Sequence, residues 1–156
     1  MKKKIMDDAT QDERKAKRAK RVKNQEITLL SSIEQIAISA KDSALCEKFY
    51  MLNAKQILYI AQRLQISERE AVMLAVLANF YNEWNSIADL AHYVDCHRLH
   101  MLHYASELES LRKKCYIKLN SRSDKERYKI SADTLKAIWH NEVPQPLDLK
   151  VADTLE

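Results

Sequence analysis

The chain has 156 residues, 46% of them hydrophobic and 31% charged, with a net charge of +4 and no glycine. That is enough chain for one domain with appendages and enough apolar material for an ordinary core. The missing glycine excludes phosphate-cradling P-loops, dinucleotide fingerprints and nucleophile elbows in their standard forms, since each needs a backbone that a side chain would obstruct.

Residues 2–23 hold ten basic and four acidic residues, a net of +6, and the remainder holds sixteen basic and eighteen acidic, a net of −2. The basicity is therefore mostly an arm. With no apolar stripe to anchor it, the arm reads first as a solvating tail and second as a nucleic-acid arm. Three scattered cysteines (Cys46, Cys96, Cys115) without a CxxC pair read as reduced thiols in a cytoplasmic protein. No apolar stretch follows the basic start, and no run is long enough to span a membrane, so neither a signal peptide nor a membrane partner is expected.

From Asn24 a helical stripe begins, marked by Ile27, Leu30, Ile33, Ala37 and Ala40. Asp42 is expected to cap the next helix, which carries Leu45, Phe49 and Leu52 and ends near Asn53. Ala54, Ile57, Leu58, Ala61 and Leu64 mark a third. Ser67-Glu-Arg-Glu70 spells a capping box. The helix behind it, Ala71 to Tyr81, is almost wholly apolar and should be the central buried one. Asn79, Asn82 and Asn85 follow, the residues best suited to left-handed turns where glycine is missing.

Ser86-Ile-Ala-Asp89 opens a short helix that stops near Asp95-Cys96, and a longer one runs to about Lys114. Tyr116–Leu119 and Glu126–Ile130 alternate as strands about the turn cluster Asn120–Asp124. Ser131 caps a last helix through Leu135, Ile138 and Trp139, and Pro144-Gln-Pro146 begins a linker. The division is an arm (1–23), a helical segment (24–65), a domain (66–143) and a linker or tail (144–156).

Three helices, a hairpin and a helix form the layout of a winged helix-turn-helix. Ile87-Ala-Asp-Leu-Ala91 and Leu108-Glu-Ser-Leu111-Arg-Lys-Lys114 followed by Tyr116-Ile117 resemble that family's second helix and recognition-helix end. The fold expected is mainly α, with N-terminal helices before a winged helix-turn-helix and its two-stranded β wing. One position departs from the family: Cys115 stands where glycine commonly follows the Lys-Lys.

Over most of residues 44–143, the order Ser67-Glu-Arg-Glu-Ala71, Asp95-Cys96, Arg127-Tyr-Lys-Ile130 and Leu135-Lys-Ala-Ile138 with Asn141-Glu142 resembles the region before the ATPase domain in a group of bacterial AAA-family ATPases. That resemblance implies an N-terminal accessory piece whose partner is a neighbouring ATPase domain, a substrate or an adaptor.

On the long helix, Met101, Tyr104, Ala105, Leu108 and Leu111 share an inward face. Leu99, Leu102, His103, Ser106, Glu109 and Ser110 fall opposite. Base-reading faces usually offer Arg, Lys, Asn or Gln, so this one points to protein contact through Leu99, Leu102, His103 and Ser106, unless N-terminal helices cover the leucines. For nucleic acid, the basic residues to hand are Arg98, Arg112, Lys113, Lys118, Arg122, Lys125 and Arg127. Residues 97–129 hold nine basic and four acidic residues, a balance suited to weak backbone contact without sequence readout. A solvated helix and hairpin surface is the plain alternative.

His92, His97, His100 and His103 cluster around Cys96. Steps of three residues rotate the ring positions around a helix by about 60°, and no carboxylate completes a tetrahedral set, so surface imidazoles are expected in place of a metal site. No catalytic constellation and no cofactor site is legible. The functions left are an accessory docking domain of an AAA-type ATPase, a DNA-binding regulator or a histidine-based metal sensor.

Overall fold

The computed structural model describes residues 27–121 and 125–144. The basic arm, Arg122 and the segment from residue 145 onward lie outside the described residues. Thr28 caps α1 (Leu29–Ala40) by a reciprocal box with Ser31. After it come α2 (Glu47–Leu52), α3 (Ala54–Leu64) and α4 (Glu68–Asn79). In the box that opens α4, Ser67 Oγ accepts from the Glu70 amide at 3.0 Å while Glu70 Oε1 accepts from the Ser67 amide at 3.4 Å. Every residue from Glu70 to Ala78 is buried, so α4 is the central helix the apolar run predicts.

The next elements are α5 (Ile87–Val94), α6 (Arg98–Met101), a 3-10 turn (Leu102–Tyr104) and α7 (Ala105–Lys113). Strands β1 (Ile117–Asn120) and β2 (Arg127–Ile130) pair antiparallel, with Ile117 opposite Ile130 and Lys118 opposite Lys129, and α8 (Ala132–Trp139) closes the described chain. This is a winged helix-turn-helix preceded by three helices. Its hydrophobic core runs unbroken from Leu29 to Ile138.

A third strand of the wing is reduced to one residue. Asn85 and Tyr128 exchange two backbone hydrogen bonds, 2.9 and 2.7 Å long. Neither Asn79, Asn82 nor Asn85 is left-handed, so the three asparagines do not make the turn expected of them. Asn85 instead anchors the wing to the segment that leads into α5.

The N-terminal stripes need correcting. In α1 the buried residues are Leu29, Ile33, Ile36, Ala37 and Ala40, and Leu30 is half exposed. In α3 Ile60 is buried where Leu58 was expected. Asp42 does not cap α2. It is left-handed, as are Ala44 and Leu45, and α2 starts only after Cys46. The loop turns there because the amides of Asp42 and Ala44 donate to the carbonyls of Tyr93 and Val94, at 3.1 and 2.6 Å, which ties it to the end of α5.

Among the described residues seven have positive φ, including Gln65, Asp95, Cys115 and Asn141. Cys115 (φ 66°) turns the chain from α7 into the wing, at the position where the family resemblance calls for glycine. A left-handed residue with a Cβ costs about 1–2 kcal/mol; a glycine there adds unfolded-state entropy that offsets about 0.4–1 kcal/mol of the relief. Cys115→Gly is therefore expected to raise stability by about 0.5–1 kcal/mol. Urea denaturation followed by circular dichroism measures it, and a loss of stability would show that the thiol's packing outweighs its backbone cost.

Candidate functional site

The helix expected to run to Lys114 is interrupted by the 3-10 turn Leu102–Tyr104, and a side chain from α4 binds at that turn. Arg69 Nη2 donates to the His103 carbonyl at 2.8 Å, and Arg69 Nε pairs with Glu107 at 3.0 Å. The guanidinium also lies over the Tyr104 ring, 4.2 Å from its centroid. Beside this turn, the Tyr104 and Tyr50 hydroxyls share a hydrogen bond of 2.7 Å, and burial raises both phenols above their ordinary value.

The inward face is as expected at Met101, Tyr104, Leu108 and Leu111, all buried, while Ala105 is half-buried. On the outer face Leu99 is 66% exposed and Leu102 50%. The N-terminal helices do not cover them. His103 and Ser106 are exposed beside them, and Ser106 Oγ donates to Glu107 at 3.0 Å. Glu109 and Ser110 are only half-buried, and Ser110 Oγ donates to Glu70 at 3.3 Å. Leu99, Leu102, His103 and Ser106 thus form one exposed patch along α6, the 3-10 turn and the start of α7.

The basic candidates divide. Arg112 is ion-paired with Glu109, which draws the Glu109 carboxyl below its ordinary value. Lys114 is drawn to Glu70 at 3.1 Å. Arg98, Lys113, Lys118, Lys125 and Arg127 are exposed.

The wing gathers the cations that its helices partly neutralise. Residues directly opposite in an antiparallel pair project to the same side, and side chains two apart along a strand share that side. Lys118 and Lys129 are directly opposite, as are Asn120 and Arg127. Lys118, Lys129, Arg127 and Asn120 therefore occupy one face, while buried Ile117, Tyr128 and Ile130 hold the other against the core. Lys129 Nζ lies 5.7 Å from the centroid of Trp84, just before the one-residue strand. Lys129 is one of the nine basic residues that the sequence places between 97 and 129, whereas Trp84 was missed. Strand alternation would have placed Lys129 beside Lys118, but nothing in the sequence places Trp84 under it.

The histidines do not converge. His97 Nδ1 caps α6 by accepting from the Leu99 amide at 3.1 Å, and the His100 and His103 rings meet edge to face, 5.3 Å apart. Among the described residues no three His, Cys, Asp or Glu side chains are grouped to hold a metal ion, and no helix is long and apolar enough to cross a membrane.

No protein-family model matches the chain, and no curated protein matches it. Among solved structures it is similar to a mutant of MepR from a multidrug-resistant S. aureus clinical isolate, at 13% identity and a TM-score of 0.42, over 70% of this chain and 82% of that one.

Proposed function

We propose that the chain is a non-catalytic winged-helix module that grips the phosphate backbone of a nucleic-acid duplex through its wing, with little sequence readout. The observation that carries the reading is the Lys118–Lys129 pair, directly opposite on the wing, with Arg127 on the same face. Like charges placed directly opposite destabilise a hairpin, and an anionic partner removes that penalty. Arg98 and Lys113 extend the basic surface onto the helices, and Lys125 extends it ahead of β2. Arg112, tied to Glu109, contributes less than the sequence suggests. Readout is weak because the outer helix face presents Leu99, Leu102, His103 and Ser106, not the donors that match base edges.

Titrating a fluorescent duplex at low and at physiological salt tests this. Binding should be micromolar or weaker at physiological salt, fall steeply as salt rises, and vary little between unrelated sequences. Removing residues 1–23 should weaken it without abolishing it. His103→Ala and Ser106→Ala should change it less than twofold. Nanomolar binding to one sequence, lost on changing His103 or Ser106, would make the helix a base reader. No binding at low salt once the arm is removed would sink the wing reading.

A second reading is favoured by the exposure of Leu99 and Leu102. Two large aliphatic side chains in water at one end of a helix suit a partner protein. The resemblance to the region preceding AAA-family ATPase domains belongs with this reading, in which the chain is an accessory domain facing a neighbouring ATPase domain, a substrate or an adaptor. Leu99→Glu separates the two. It should leave nucleic-acid affinity within a few-fold and abolish docking.

A further inference from the structure

The one-residue third strand of the wing carries an aromatic ring onto the cationic face. Asn85 pairs with Tyr128, and both side chains are buried. Residues next to such a pair point the opposite way, so Trp84 falls on the outer face, directly opposite Lys129. Lys129 is in turn opposite Lys118. Lys118, Lys129 and Trp84 therefore form one row across the sheet, and Lys129 Nζ stands 5.7 Å from the centroid of the half-buried Trp84 ring.

Trp84 also lines a hollow of about 440 Å³, together with Phe80, Glu83, Asp89, His92 and Tyr93. The Phe80 and Tyr93 rings meet edge to face with centroids 5.0 Å apart, and the Tyr93 hydroxyl donates to the Ala37 carbonyl at 2.7 Å, which fixes this aromatic wall. Glu83 and Asp89 are exposed, and neither is in an ion pair among the described residues. Asp89 holds the Ser86 amide with Oδ2 at 2.9 Å.

We propose that this hollow takes one unpaired nucleobase, stacked on Trp84, while the adjoining phosphates lie on Lys118, Lys129 and Arg127. The site rests on the wing reading above, and it gives the chain a preference for the point where a duplex opens into a single strand. Two features select a base as the occupant. An aromatic ring in one row with cations is the arrangement that single strands require, base on ring and phosphate on cation; in an intact duplex the base faces are covered by their neighbours. The charges are also divided. The carboxylates of Glu83 and Asp89 turn phosphate away from the hollow but accept from the amino groups of base edges, so the base enters and the phosphates stay on the wing.

Trp139→Phe leaves Trp84 as the sole tryptophan of a chain that has two. This full-length variant is titrated with a blunt DNA duplex, the same duplex with a three-nucleotide overhang of either polarity, and that overhang made abasic. The two overhangs carry the same phosphates, so counterion release and the basic arm contribute equally to both. The intact overhang should bind about tenfold tighter than its abasic twin and quench the Trp84 emission, which the abasic one should not. Read from labelled DNA, Trp84→Leu should abolish the preference and leave blunt-duplex affinity within twofold, whereas Trp84→Phe should keep part of the preference. Equal affinity for the two overhangs would overturn the inference, as would a preference that survives Trp84→Leu. Blunt-duplex binding that is lost on replacing Lys118, Arg127 and Lys129 would leave the wing reading standing in either case. Binding of none of the probes would end both.

Discussion

Replacing Lys118, Arg127 and Lys129 together with alanine is expected to lower duplex affinity by about a hundredfold near 0.1 M salt and to flatten the salt dependence by about two to three units of slope. Each phosphate neutralised releases close to one counterion, so three lost contacts give about that slope. The three side chains share one face of the hairpin, and the buried Ile117, Tyr128 and Ile130 that hold the wing to the core are untouched. Removing the like-charge pair should, if anything, stabilise the free hairpin. Lost binding with an unchanged melting temperature would thus report contact and not unfolding. Arg112→Ala is the contrast. Its guanidinium is already paired with Glu109, and its removal should cost less than any one of the three. If the triple replacement leaves affinity within twofold, the phosphate contact lies elsewhere and the wing reading fails.

Most of the fold was legible because its signals are local. Ser67 with Glu70 and Ser86 with Asp89 are reciprocal caps spelled out over four residues, and both form as read. The unbroken apolar run of α4 admits no exposed face. The hairpin follows from alternation alone. What stayed hidden depends on distant partners. Arg69 reads as the middle of a capping box, yet it donates to the His103 carbonyl thirty-four positions away, in the 3-10 turn that interrupts the helix. Asn85 reads as a helix terminator, yet its backbone pairs with Tyr128.

The stripe of α1 was misread for a different reason. A helix with two apolar faces offers two periodic patterns, and periodicity does not say which one meets the core. Leu30 belongs to the outer stripe. In the candidate site, the exposure of Leu99 and Leu102 was open in the sequence because covering helices were available in the chain; α1 went onto α4 and α8 instead. Lys129 was legible as a basic residue of the wing, whereas the pairing of Arg112 with Glu109 turns on rotamers that spacing only permits.

Above pH 10 the fold is expected to lose stability steeply and to unfold in alkali as one cooperative step. Burial raises the phenols of Tyr50, Tyr93, Tyr104, Tyr116 and Tyr128. Nearby groups add to it for most of them: the Tyr104 hydroxyl beside Tyr50, Asp42 near Tyr93, Glu70 near Tyr116. Tyr128, sealed in the wing beside Glu126, is pushed up to about 12. In the unfolded chain each phenol ionises near its ordinary value of about 10. Below that pH both states keep the proton and these groups contribute no pH dependence. Between the unfolded and the folded value only the unfolded chain gives the proton up, so each phenol removes about 1.4 kcal/mol of stability per pH unit.

The five groups act in the same direction, so the loss steepens as pH rises above the ordinary phenol range. Phenolate absorbance and helical circular dichroism, followed together as pH rises, should change in the same transition. A phenolate step near pH 10 larger than the two remaining tyrosines, Tyr59 and Tyr81, can supply, in a chain still fully helical, would show that these hydroxyls reach water. Tyr128→Phe keeps the buried ring and removes the ionisation. It should move the midpoint to higher pH, and a midpoint that falls instead would mean that the 3.3 Å hydrogen bond from Tyr128 to Glu126 matters more to the wing than the sealed phenol does.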